Sequence, residues 1–258
     1  MPQFSEKIMF QYQAPESSLN NKVILITGAG DGIGKAAALT YAKHGATVIL
    51  LGRTIAKLEK VYDEIEQNNW PQPAIIPLNL EGAVEKDYIE VASSINEAFG
   101  RLDGILHNAS LLGSLTTIDQ YEVPVWEKVM QVNLNSTFIL TKTFLPLLQA
   151  STNNPSIIFT SSSVGRSGRA FWGAYSVSKF ATEGLMQVLA DELDVNGNRI
   201  RVNCINPGAT RTNMRADAYP AENPMNNPAP SEIMPLYLYL MGDDSLDVTG
   251  QTLDAQTK

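Results

Sequence analysis

Alternation constrains this chain most. Short apolar runs recur in order: "KVILIT" (22–27), "TVILLG" (47–52), "AIIPLNL" (74–80), "DGILHNA" (103–109), "SIIFTSS" (156–162) and "IRVNCIN" (200–206). Between them the segments 32–45, 54–68, 84–99, 124–149 and 173–196 read as helices, the first closed by Gly45 after Lys43 and His44. Strands this apolar are buried on both faces, and alternation with helices supplies the two covering layers. Right-handed βαβ units and a parallel, doubly wound α/β sheet are therefore expected. The 258 residues suit one such domain, and 44% hydrophobic content is ample for its core.

Two segments fall outside this rhythm. Residues 1–21 hold neither an apolar signal core nor a run long enough to span a bilayer. They are expected to form an N-terminal arm, lying on the 22–258 domain or on a neighbouring subunit. Residues 208–234, "GATRTNMRADAYPAENPMNNPAPSEIM", are rich in Pro, Asn and Ala. They follow a strand end, where open α/β sheets bind their ligands, so a substrate lid is expected. The formal charge of −8 disfavours nucleic acid or an anionic membrane as partner. One cysteine excludes an internal disulfide, and two histidines with that cysteine cannot build a His/Cys metal site. A soluble cytoplasmic protein without a metal is the expectation.

The chemistry gathers at the carboxyl ends of the strands. "TGAGDGIG" (27–34) leads from the first strand into a helix. Gly28 lets the chain turn, Gly32 lets backbone approach a pyrophosphate, and Gly34 lets the helix pack closely. The helix N-terminus then faces phosphate. After 47–52, Gly52 occupies the place of the acid that would bind a ribose 2′-hydroxyl, and Arg53 follows. Without that carboxylate a guanidinium can grip a 2′-phosphate, which favours NADP(H) over NAD(H). Asp31 weighs against this, because a carboxylate beside that phosphate repels it. In "GAYSVSKFATEGL" (173–185), Tyr175 and Lys179 stand four residues apart, on one helical face.

Six marks in order carry a resemblance: "TGAGDGIG", "HNAS" (107–110), Asn133 in "MQVNLNSTF", Ser162 in "TSSSVG", Tyr175-x-x-x-Lys179 and "NPGATRT" (206–212). From about Lys22 onward the chain resembles the single-domain short-chain dehydrogenase/reductase family. The resemblance implies a single Rossmann domain with a seven-stranded parallel sheet and hydride transfer between a nicotinamide cofactor and a carbonyl/alcohol substrate. It implies that Tyr175 is the acid–base group and that Lys179 lowers its pKa and holds the nicotinamide ribose. Ser162 would hydrogen-bond the substrate oxygen, and Asn133 would hold a water that relays protons to Lys179.

For the cofactor it implies the loop residues Gly28, Gly30, Asp31, Gly32, Ile33 and Gly34, with Arg53 at the phosphate. Asn79 and Leu80 would hold adenine, and Asn108, Ala109 and Ser110 would line the adenosine and ribose path. Pro207 and Gly208 would shape the nicotinamide pocket, with Thr210 and Thr212 beside it. "HNAS" departs from the family's Asn-Asn-Ala-Gly, and Asp254-Ala255-Gln256 departs from its Asp-Gly-Gly. A homodimer or homotetramer joined through 124–149 and 173–196 is implied as well.

A non-catalytic NADP(H) sensor or scaffold on the same fold is the competing reading; it would be expected to lose Tyr, Lys or Ser. Sugar-nucleotide epimerisation goes with a longer chain. Four arginines, Arg166, Arg169, Arg211 and Arg215, stand near the inferred pocket with Phe171 and Trp172. Either they pair with acids or face water, or one or two reach a carboxylate or phosphate on the substrate.

Overall fold

The structure, a computed structural model, describes residues 8–195 and 200–257. In chain order the strands are β1 (Ile8–Met9), β2 (Val23–Thr27), β3 (Thr47–Gly52), β4 (Ala74–Pro77), β5 (Gly104–His107), β6 (Ser156–Thr160), β7 (Arg201–Asn206), β8 (Thr252–Asp254) and β9 (Gln256–Thr257). Seven of them form one parallel sheet in the order β4-β3-β2-β5-β6-β7-β8. The order reverses between β2 and β5, so the crevice of a doubly wound sheet opens there.

The helices are α1 (Gly32–Lys43), α2 (Ile55–Gln67), α3 (Glu85–Phe99), α4 (Val123–Met130), α5 (Ser136–Gln149), α6 (Gly173–Val195), α7 (Asn213–Ala218) and α8 (Met234–Met241). Successive strand residues point to opposite faces. Ile24, Ile26, Val48 and Leu50 therefore join one core with Tyr41 of α1 and Tyr237 of α8. Val23, Leu25, Ile49 and Leu51 join the other, with Phe144 of α5 and Met186 of α6.

The elements differ from expectation in three places. The 124–149 helix begins at Val123 and passes through a π-helical turn at Gln131–Asn135, between α4 and α5. The 208–234 segment is ordered into α7 and two 3-10 turns, Pro224–Asn226 and Pro230–Ile233. The strand expected over 74–80 ends at Pro77, on the edge of the sheet, where its missing N–H faces away from β3, and Leu78 N adds one last bond to Gly52 O at 3.0 Å.

The described part of the arm, residues 8–21, lies on its own domain. The backbone N–H of Phe10 donates to Ala255 O at 3.0 Å, β1 pairs antiparallel with β9, and Leu19 is fully buried. Residues 1–7 of the arm and residue 196 of the expected last helix lie outside the described residues.

Candidate active site

A cleft of about 1130 Å³ runs along the carboxyl ends of the strands. Of the residues expected to act, all line it except Gly34 and Asn133. Those two work from behind. A Cβ on Gly34 would lie 2.2 Å from Gly28 O, so α1 can leave the loop at this angle only with glycine there. Asn133 is buried in the π turn. Its Oδ1 accepts from Leu111 N at 2.7 Å, while Nδ2 donates to Leu111 O and to Ser178 Oγ, both at 3.0 Å. It thus stitches the loop after β5 to α6, one residue before Lys179.

Around the glycine loop, Gly28 turns at φ +69° and Asp31 caps α1, accepting from Gly32 N at 2.8 Å. The Lys57 ammonium, 2.5 Å away, chiefly holds the Asp31 carboxyl below its usual range, helped by Gly32 N–H and the Asn213 amide. The repulsion feared from Asp31 is therefore answered by a neighbouring cation. Arg53, exposed at the end of β3, has no acidic partner among the described residues and lines the cleft beside Thr54 and Lys57.

Lys57 was not singled out by sequence reasoning. Its only signal there was a basic residue one turn after Arg53. Thr27 was also passed over: its hydroxyl accepts from Asn108 N at 2.9 Å and Ala109 N at 3.0 Å, tying the loop after β5 to the start of the glycine loop. Ser110 Oγ is buried in the lining with no hydrogen-bond partner among the described residues. These features fit a phosphorylated nucleoside ligand along this arm of the cleft.

At the other arm α6 brings Tyr175 and Lys179 together, with Lys179 Nζ 5.5 Å from the Tyr175 ring centroid. Lys179 Nζ donates to Thr160 O at 2.7 Å. Burial pushes the Tyr175 phenol up to about 12, opposed by a hydrogen bond with Ser162. Burial also pushes the Lys179 ammonium down to about 8. In the chain alone, then, burial sets the phenol's shift with only Ser162 opposing it, and the expected pull of the ammonium plays no part.

The neighbouring serines separate cleanly. Ser161 Oγ donates to the buried Glu183 at 2.6 Å and Ser163 is exposed, leaving Ser162 for the tyrosine. His107, the odd residue of "HNAS", is a core side chain. It stacks on Phe159 at 4.8 Å, meets Thr141 Oγ1 at 2.9 Å, and burial holds it neutral, down to about 3.

The structure sorts the four arginines. Arg166 pairs with Glu183 at 3.3 Å and Asp254 at 3.0 Å, and Arg215 pairs with Glu222 at 2.6 Å. Arg211 lies outside the cleft lining against Met225 Sδ, and Phe171 lies outside it too. Arg169 lines the cleft, donating to Tyr219 Oη at 2.9 Å, beside Trp172. Of the segment 208–234, only residues up to Tyr219 reach the cleft.

Comparison with known proteins identifies the family of the chain and its fold. The family model for short chain dehydrogenases matches residues 22–223. The chain is 54% identical over 245 residues to the uncharacterized oxidoreductase YciK of Escherichia coli K12, covering 95% of this chain and 96% of that one. A Pseudomonas syringae structure assigned to the short chain dehydrogenases superimposes with a TM-score of 0.94 at 59% identity, covering 96% of this chain and 100% of the other. Another such protein, from E. coli CFT073 and crystallised with NADPH, gives 0.91 at 54% identity, covering 95% and 100%.

Proposed function

The chain belongs to the short chain dehydrogenase family, and from that premise we propose that it is an NADP(H)-dependent oxidoreductase that reduces a carbonyl substrate. The observation that carries this reading is the convergence of Tyr175, Ser162 and Lys179 in the cleft that the glycine loop also lines. Arg53 and Lys57, cations at the end of β3 and the start of α2, support the 2′-phosphate of NADP(H) over a free ribose. A relative crystallised with NADPH supports the same choice.

When bound, NADPH supplies a hydride to the carbonyl carbon. Ser162 Oγ hydrogen-bonds the substrate oxygen and fixes it beside Tyr175. The Tyr175 phenol, held protonated by its burial, gives its proton to that oxygen, and the product is the alcohol. Lys179 stands close enough to stabilise the phenolate left behind. Asn133 keeps α6 and the loop after β5 in register. Its side-chain N–H groups are both engaged and Oδ1 already accepts from Leu111 N, so a relay water would take the second lone pair of one of its oxygens. A non-catalytic sensor would have no use for this convergence.

We further place the protein in the cytoplasm, with residues 208–219 as the part of the lid that meets substrate. Among the described residues no helix is long and apolar enough to cross a membrane. A homo-oligomer is supported by half-exposed apolar side chains on α5 and α6, among them Phe138 and Phe180.

The test is Tyr175→Phe, which removes only the transferable proton. The variant is expected to bind NADPH like the wild type in a fluorescence titration while kcat/KM for ketone reduction falls by ~10²–10⁴. Retention of more than about a tenth of the wild-type value, a loss under ~1.4 kcal/mol, sinks the acid–base assignment.

A further inference from the structure

Gln256 stands where the resemblance leads one to expect glycine, and its side chain is buried in the cleft wall. Its Nε2 donates to Pro207 O at 2.6 Å, to Ala209 O at 3.1 Å and to Thr210 Oγ1 at 3.3 Å. Three acceptors around one end of the amide set which end is nitrogen. Oε1 is left buried with no hydrogen-bond partner among the described residues. Gly208, at φ +70°, passes so close that a Cβ there would lie 2.8 Å from Nε2. One side chain thus gathers the loop 207–210, the wall of the cleft after β7.

The backbone of the same residue is held by the N-terminal arm. Met9 pairs with Gln256 and Ile8 with Thr257, and Phe10 N donates to Ala255 O. The arm is seated by Phe10 and Tyr12, whose rings lie 5.5 and 5.3 Å from that of Tyr239, and by Tyr12 Oη donating to Asp244 at 2.7 Å. A two-residue, two-stranded ladder is marginal by itself. Such an element opens more readily than the sheet beside it, and a bound ligand can bias that opening.

We infer that the arm is a working part of the cofactor site. It braces β9 so that Gln256, a positioning residue, holds 207–210 in the shape that receives the nicotinamide end of NADP(H). Arm docking and cofactor binding are then coupled, and the coupling is reciprocal. The inference rests on the NADP(H) reading above.

The experiment titrates NADPH by fluorescence, without substrate, into the wild type, Gln256→Leu, a chain lacking residues 1–12, and the combination. Each single change is expected to weaken binding about five- to tenfold. The combination should weaken it no further than the worse single change, because both act through one contact. Chymotrypsin cleavage at Phe10 and Tyr12 supplies a second readout that does not depend on the shortened chain folding. Saturating NADPH should slow it about five- to tenfold in the wild type and leave it unchanged in Gln256→Leu. Dissociation constants within twofold of wild type, additive losses, or cleavage indifferent to NADPH overturn the coupling. A wild-type chain that does not bind NADPH overturns the cofactor reading and this inference with it; binding that ignores the arm and Gln256 overturns this inference alone.

Discussion

Tyr175 and Lys179 are displaced in opposite directions by one cause, burial, which disfavours the charged form of each. The phenol therefore stays protonated through the physiological range, and Lys179 keeps its charge only below about 8. For carbonyl reduction, kcat/KM is expected to be flat from about pH 6 to 8 and to fall above about 8, as Lys179 loses the charge that stabilises the phenolate. A profile flat to pH 10 sinks this role. Linkage gives a second readout. Between pH 8 and 10.5 the folded chain holds fewer protons on Lys179 than the unfolded chain does, so this group's destabilising effect shrinks as pH rises through that window. Urea unfolding of Lys179→Met should lack that component of the pH dependence.

Among the described residues, the Arg169 guanidinium has a phenol and no carboxylate as partner. Acidic ketones are therefore expected to exceed their neutral esters at least tenfold in kcat/KM, roughly 1.4 kcal/mol. Arg169→Ala should erase the preference and leave NADPH affinity alone. Equal rates on acid and ester return Arg169 to the surface.

At the scale of elements, the β2–loop–α1 unit depends on contact distances that only glycine permits. Gly34→Ala would put a methyl 2.2 Å from Gly28 O and 2.7 Å from Asn108 Nδ2, so the loop must shift. A stability loss of about 1–3 kcal/mol in urea unfolding is expected, together with weaker NADPH binding. A variant indistinguishable from wild type in both measurements overturns this account of the loop. The glycine spacing that forces this geometry was legible in the sequence, as were the six strands read there and the Tyr175/Lys179 pair. Local periodicity encodes all of these.

What was not legible depends on residues far apart in the chain. Nothing around Asp31 announces Lys57, and nothing around Arg166 announces Asp254, 88 residues on. The π turn at Gln131–Asn135 shifts hydrogen bonds by one residue without a compositional trace. The 208–234 segment lacks helical periodicity because α7 is six residues long and buries none of them.

The whole molecule leaves an apolar stripe uncovered. Val177, Phe180 and Val188 of α6 are 43%, 45% and 58% exposed, on the side of the helix away from the core that Met186 and Leu189 join. Their spacing of three and eight residues keeps them on one face, with Gly184 between them. A row of this kind is unusual on a surface meant for water. It belongs to the same helix that carries Tyr175 and Lys179, so a second copy packed here would buttress the catalytic pair from outside. A stable interface has to bury on the order of 1,000 Å² or more, and placing arginine at its centre leaves a charge without water or partner. Phe180→Arg combined with Val188→Arg is expected to convert a dimer or tetramer into a monomer in sedimentation velocity at micromolar concentration. The monomer should retain the α/β circular dichroism spectrum, since neither side chain belongs to the core. Its kcat should fall more than its NADPH affinity, because α6 loses its outer support while the glycine loop keeps its own. A wild-type protein that sediments at the 28.2 kDa mass of one chain refutes the assembly and leaves the stripe without a role.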